Sequence, residues 1–195
     1  MDNELRDGSS IPSDRIKLLQ IIKNEKLSKL IRFSWWESEE SMEQCEIAQD
    51  EVFSLTAGPL LLYFESGLVI GAASDPSRNS VILWVEKDDT GYIKDESIEN
   101  DTDLYPIDAE DKIYSSPYWG QIVGQNIKEI NIIKRDPQNA LFEELPNEVG
   151  LEIVMENDMK FILSHGLHDD SDDFSVLTTS QLEVDLIASL KWFAC

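Results

Sequence analysis

Hydrophobic positions change their period along the chain, and the changes mark out the elements. After a polar leader, Pro12-Ser13-Asp14 has the form of a helix start, with Ser13 or Asp14 as its cap. Ile16, Leu19, Ile22, Leu27, Leu30 and Ile31 follow at helical spacing. Leu60-Leu61-Leu62-Tyr63-Phe64, the turn Glu65-Ser66-Gly67 and Leu68-Val69-Ile70-Gly71-Ala72 predict a β-hairpin. Asp75-Pro76-Ser77 turns the chain into Ser80-Val81-Ile82-Leu83-Trp84-Val85, a β-branched run expected to be a strand with Trp84 buried.

The second half repeats this plan. Asn126–Ile133 reads as a strand, and Gly150–Met155, Glu156-Asn157-Asp158 and Met159–Leu163 as a second hairpin. An acidic loop after His165 leads into a last strand at 174–178. Leu60, Leu62, Phe64 and Glu65 fall on Leu151, Ile153, Met155 and Glu156 at an offset of 91. Leu30, Phe33 and Trp35 fall on Ile127, Ile130 and Ile132 at an offset of 97. The difference sits in a loop, where insertions cost little. In the tail, Ser180-Gln181-Leu182-Glu183 has capping-box spacing, and Leu182, Leu186, Ile187, Leu190 and Phe193 suggest a terminal helix, with a strand as the alternative. The fold class expected is mainly β (α+β). It has antiparallel sheets from two related halves, about 28–86 and 125–178, an N-terminal helix and a C-terminal helix. One domain of 1–195 is expected, because no Gly/Ser/Pro-rich linker separates the halves.

Charge adds most to this picture. The chain has 39 acidic and 16 basic residues, a net charge of −23. Residues 1–32 carry +2, and Arg15, Lys17, Lys23, Lys26 and Lys29 would lie on one face of the first helix. That face either takes an anionic ligand or, as we prefer, partly neutralises an acidic body. Between Phe33 and Ser77 there is no Lys or Arg, while Glu37, Glu39, Glu40, Glu43, Glu46, Asp50 and Glu51 accumulate. A long acidic excursion at 87–116 carries Asp88, Asp89, Asp95, Glu96, Glu99, Asp101 and Asp103. A loop of that length is either functional or a solvating spacer. A third acidic block is 169–173. Such a field attracts basic partners and repels phosphate, which argues against direct nucleic-acid binding. No apolar run has the length of a membrane span and the leader MDNELRDGSS is no signal peptide, so a cytoplasmic protein is expected.

Little catalytic chemistry emerges. P-loop, dinucleotide, nucleophile-elbow and zinc-protease motifs are absent, and no cofactor or metal is implied. Gly120 and Gly124 have turn or bulge spacing. His165, His168, Asp169 and Asp170 offer imidazole and carboxylate, so a metal-dependent enzyme or small-molecule binder is the alternative function. Cys45 lies between carboxylates, which oppose a nucleophilic thiolate, and Cys195 has no assignable role. Two cysteines make no disulfide framework. Tyr118-Trp119, beside Pro117, either packs the core or anchors a partner.

The segments VGLEIVMENDMKFIL, IVGQNIKEINII and GPLLLYFESGLVIGA resemble small β-rich immunity proteins of bacterial polymorphic-toxin and contact-dependent-inhibition systems. The resemblance covers about residues 28–180 and rests on structural pattern. It implies a cytoplasmic, non-enzymatic protein that neutralises a cognate toxin, often a nuclease with a basic cleft. The partner-binding residues expected are Asp88, Asp89, Asp95, Glu96, Glu99, Asp101, Asp103, Tyr118 and Trp119. The stretch from Glu37 to Glu51 and the loop from Asp169 to Asp173 are the next candidates.

Overall fold

The computed structural model describes residues 3–6, 8–168 and 172–195. Its strands form two antiparallel five-stranded sheets. The first contains β1 (Leu27–Ser34), β2 (Leu60–Phe64), β3 (Val69–Asp75), β4 (Ser80–Lys87) and β5 (Tyr105–Asp108), ordered β4-β3-β2-β1-β5. The second contains β6 (Ile127–Arg135), β7 (Gly150–Met155), β8 (Lys160–His165), β9 (Phe174–Leu177) and β10 (Leu190–Ala194), ordered β9-β8-β7-β6-β10. The two orders are the same, strand for strand. Among the described residues, five short α-helices accompany them: α1 (Asn3–Arg6), α2 (Ile16–Ile22), α3 (Ser38–Gln44), α4 (Val52–Leu55) and α5 (Val184–Ile187).

Hydrogen bonds relate the halves reciprocally. The amide of Asn24 donates to Ile127 O (2.8 Å), and that of Gly124 to Leu27 O (2.7 Å). Leu27 donates to Gln125 O and Ile127 to Glu25 O, each at 2.9 Å, around an antiparallel bridge between Lys26 and Asn126. Asn24 and Gly124 both have left-handed φ, at 75° and 83°. A bulge interrupts β1 between Leu27 and Lys29 and β6 between Ile127 and Glu129. The first strands therefore align at an offset of 100, three residues beyond the sequence expectation. The hairpins align at 91, where Phe64 matches Met155 at the start of each turn.

Alternation along the strands sorts side chains into two layers. Leu60, Leu62, Ile70, Leu83, Ile130, Leu151, Ile153 and Phe161 join one shared core between the sheets. Ile31, Phe33, Leu61 and Val69 point outward from the first sheet, and partly buried Ile98 and Leu104 of the excursion cover them. Ile133, Ile162 and Leu177 point outward from the second, beneath Leu182, Leu186 and Ile187. The segments before β5 and before β10 thus do the same work. Each roofs an apolar sheet face that would otherwise meet water.

Two helix expectations need correction. The first helix stops at Ile22, because Lys23 is extended and Asn24 adopts left-handed φ; Leu27, Leu30 and Ile31 lie in β1. Its basic face is accordingly dispersed. Lys26 pairs with Glu65 (2.6 Å), Lys29 with Asp108 (3.3 Å), and buried Arg15 donates to Leu5 O and Gly8 O. The capping box forms at Thr178 and Gln181, around a 3-10 turn. The C-terminal helix is a single turn, and Leu190–Ala194 pair with β6.

Candidate functional site

The acidic excursion is an ordered structure held by two buried carboxylates. Glu86 accepts the Trp84 indole N–H (2.6 Å) and the amide of Ile98 (2.8 Å). Trp84 is buried and lies across Gly71, where a Cβ would stand 2.0 Å from its ring, so the position admits only glycine. Asp88 is 2% exposed and accepts from Arg6 Nε (2.9 Å), from the Thr90 amide (2.9 Å) and hydroxyl (2.7 Å), and from the Tyr92 amide (3.1 Å). Burial pushes its pKa up, but the hydrogen bonds from Thr90, Arg6 and Tyr92 outweigh that and bring it down to about 2. Buried there, Asp88 offers nothing to a partner.

The other acids of the excursion face solvent. Asp89, Asp95, Glu96, Glu99, Asp101 and Asp103 are exposed. Among the described residues, none of the six forms a salt bridge. Glu99 accepts the Tyr63 hydroxyl (2.8 Å); partial burial, with that hydrogen bond, drives the phenol far above its ordinary pKa. Asp101 accepts the Asp103 amide (2.9 Å) in a local turn. The result is an ordered acidic surface, in which Lys94 Nζ donates to the Glu96 backbone carbonyl (3.1 Å).

Tyr118 and Trp119 lie elsewhere. Trp119 is 1% exposed, donates to Ser54 Oγ (2.9 Å) and packs its ring on Phe53 and Phe161. Core packing removes it from any partner surface. Tyr118 is half-buried, and its hydroxyl donates to Lys160 O (2.5 Å).

The histidines also separate. His165 is 2% exposed in β8, with Nε2 3.0 Å from Asn79 Oδ1, and burial lowers its pKa. His168 is exposed on the following loop, and Asp169 and Asp170 lie outside the described residues. Among the described residues, no three His, Cys, Asp or Glu side chains form a group that could hold a metal. Gly124 is a turn glycine, and Cys195 is partly buried against the core, where burial raises its thiol pKa.

The structure assembles a second feature at one end of the two sheets. A cleft of about 440 Å³ is lined by Trp35, Trp36, Cys45, Glu46, Glu51 and Leu55 on one side. His168, Asp173, Phe174 and Ser175 form the other side. It thereby joins the base-free stretch after β1 to the acidic loop before β9. Trp35 is 60% exposed, with its ring centroid 6.3 Å from that of Trp36. The turn that presents them is fastened by buried hydroxyls: Ser34 to Thr56 (2.7 Å), Ser34 to Ser41 (2.9 Å) and Ser41 to Thr56 (3.0 Å). Ser34 Oγ also accepts the Trp36 amide (3.1 Å).

Beneath this cleft lies Arg32, fully buried on the inner face of β1. Its Nη2 donates to both Thr56 O and Phe174 O, and its guanidinium stacks 4.6 Å from the Phe174 ring centroid. One side chain therefore ties the two cleft walls together. Burial pushes its pKa down to about 9, with Cys45 and Asp173 pulling the other way, so it stays charged at neutral pH. Among the described residues, its Nε and Nη1 have no hydrogen-bond partner. At the 100-residue offset, the corresponding residue of β6 is Ile132, which is apolar and buried.

No family model matches the chain, and neither a curated protein nor a solved structure matches it. Among the described residues, no helix is long and apolar enough to cross a membrane.

Proposed function

We propose that the protein is a non-catalytic binder that masks the basic surface of a protein toxin, acting as an immunity protein in the cytoplasm. One observation carries this reading. Buried Glu86 and Asp88 fix the excursion in place while six further carboxylates stand exposed and, among the described residues, without salt bridges. Like charges held this close repel, so their fixed display favours a basic partner that neutralises them. On a nuclease, such carboxylates would occupy positions that substrate phosphates take, with shape and aromatic contacts adding selectivity.

Affinity capture from the source cell at low and moderate salt, with identification by mass spectrometry, tests it. A basic protein whose activity the purified chain suppresses is the expected result. Recovery of no basic partner at either salt, or a partner whose activity is untouched, would overturn it.

A further inference from the structure

We propose that the cleft between Trp35 and Phe174 is the anchor pocket of the interface, and that it receives an arginine side chain of the protein partner. This rests on the masking function above and adds to it a place and a chemistry.

Three independent features converge on that occupant. The first is the aromatic wall. Trp35 is 60% exposed although it follows a strand whose inward side chains are buried, and Trp36 stands tilted beside it at 59°. A guanidinium is planar and weakly hydrated, so it stacks on an indole face better than an ammonium does. The second is charge. Glu46, Glu51 and Asp173 line the cleft, and no Lys or Arg does. The chain contains no base from Phe33 to Ser77, so this wall has no local cation of its own to fill the space. Arg32 lies behind the wall and removes only part of the negative charge.

The third is preorganisation. Arg32 clamps Thr56 O to Phe174 O across the base of the cleft, and the Ser34, Ser41 and Thr56 hydroxyls lock the turn that carries both tryptophans. Gly58 contributes: its φ is 130°, and a Cβ there would come within 2.0 Å of Phe33 O, so only glycine lets this wall approach β1. A buried cation is a costly clamp, and the matching position in β6 uses isoleucine instead. The second sheet does without it. A rigid, aromatic, acid-lined pocket of about 440 Å³ has room for one long basic side chain and its flanking backbone. Interface anchors of this kind carry a large share of binding energy.

The direct test uses N-acetyl-arginine amide as the probe, followed through the tryptophan indole N–H signals by NMR, with N-acetyl-lysine amide for comparison. Arginine amide should shift the Trp35 and Trp36 signals saturably and more tightly than lysine amide. In Trp35→Ala, the Trp36 response should vanish. In Glu46→Gln/Glu51→Gln, which keeps the Glu51 hydrogen bond to the Ala48 amide in amide form, affinity should fall at least threefold. The variant Asp95→Asn/Glu96→Gln/Asp101→Asn/Asp103→Asn should bind the probe as wild type does. Non-saturating shifts, or a Trp36 response that survives Trp35→Ala, would overturn the pocket assignment. With a captured partner, Trp35→Ala should accelerate dissociation by about tenfold or more. An unchanged dissociation rate would dismiss the anchor while leaving the masking function standing. Probe binding without any basic partner would uphold the pocket's arginine selectivity and overturn the masking function.

Discussion

Asp88 and the acids beyond it share a composition but differ in duty. Asp88 is buried with four hydrogen-bond donors around it, so Asp88→Asn should cost about 1–3 kcal/mol, because charge-assisted bonds are lost in a desolvated site. Its folded pKa is about 2, below the ordinary 3.8, so the stability it adds is present above pH 4 and lost as pH falls through 2. The difference between wild type and Asp88→Asn in urea unfolding should therefore shrink across that window. Asp95→Asn or Asp101→Asn, on exposed positions, should stay within about 0.5 kcal/mol of wild type. His165 gives a second pH test. Its folded pKa is lowered by burial, so unfolding takes up a proton below pH 6.5 and acidification should destabilise the fold. An imidazole NMR titration should place its midpoint below 6.5. At this scale the sequence was only partly legible. Nothing in the run of acids distinguished Asp88 from Asp89, because burial is decided by where Arg6 and Thr90 arrive from. Arg32 did carry a signal, as a cation set between Ile31 and Phe33 in the most apolar part of the strand. It was hidden because Leu27, Leu30 and Ile31 fit a helical period as well as a bulged strand.

The elements follow the same logic. Short apolar runs fixed both hairpins, since alternation with a glycine or acidic turn has few other solutions. The helical stripe from Ile16 to Ile31 misled because helix spacing persists across a break that only the left-handed Asn24 reveals. The tail realises both readings: Val184–Ile187 form a short helix, while Leu190–Ala194 pair as β10 with the edge of β6. The excursion is the clearest case of tertiary packing deciding structure. Its polar sequence left a functional loop or a solvating spacer open and gave no sign of a packing role, yet Ile98 and Leu104 cover the outer face of the first sheet. Hydrogen exchange tests this directly. The Ile98 amide, bound to Glu86 Oε1, should be protected in wild type, and Glu86→Ala should speed its exchange by about tenfold or more.

For the whole molecule, two sheets of identical order share one core and carry a net charge of −23. Self-repulsion on that scale works against compactness, and salt screens it. Raising sodium chloride from 20 to 500 mM should therefore raise the Tm by several degrees, whereas a protein near neutrality would respond little. The same field should draw a basic partner in quickly. The measurement that bears most directly on this claim is the association rate of the captured partner across a range of salt. Wild type is compared with Asp95→Asn/Glu96→Gln/Asp101→Asn/Asp103→Asn. Wild type should associate fast at low salt and slow steeply as salt rises. The variant should associate about tenfold more slowly at low salt, with a flatter slope and a nearly unchanged dissociation rate. Equal association rates and equal salt slopes for the two proteins would contradict a role for the exposed excursion in partner recognition.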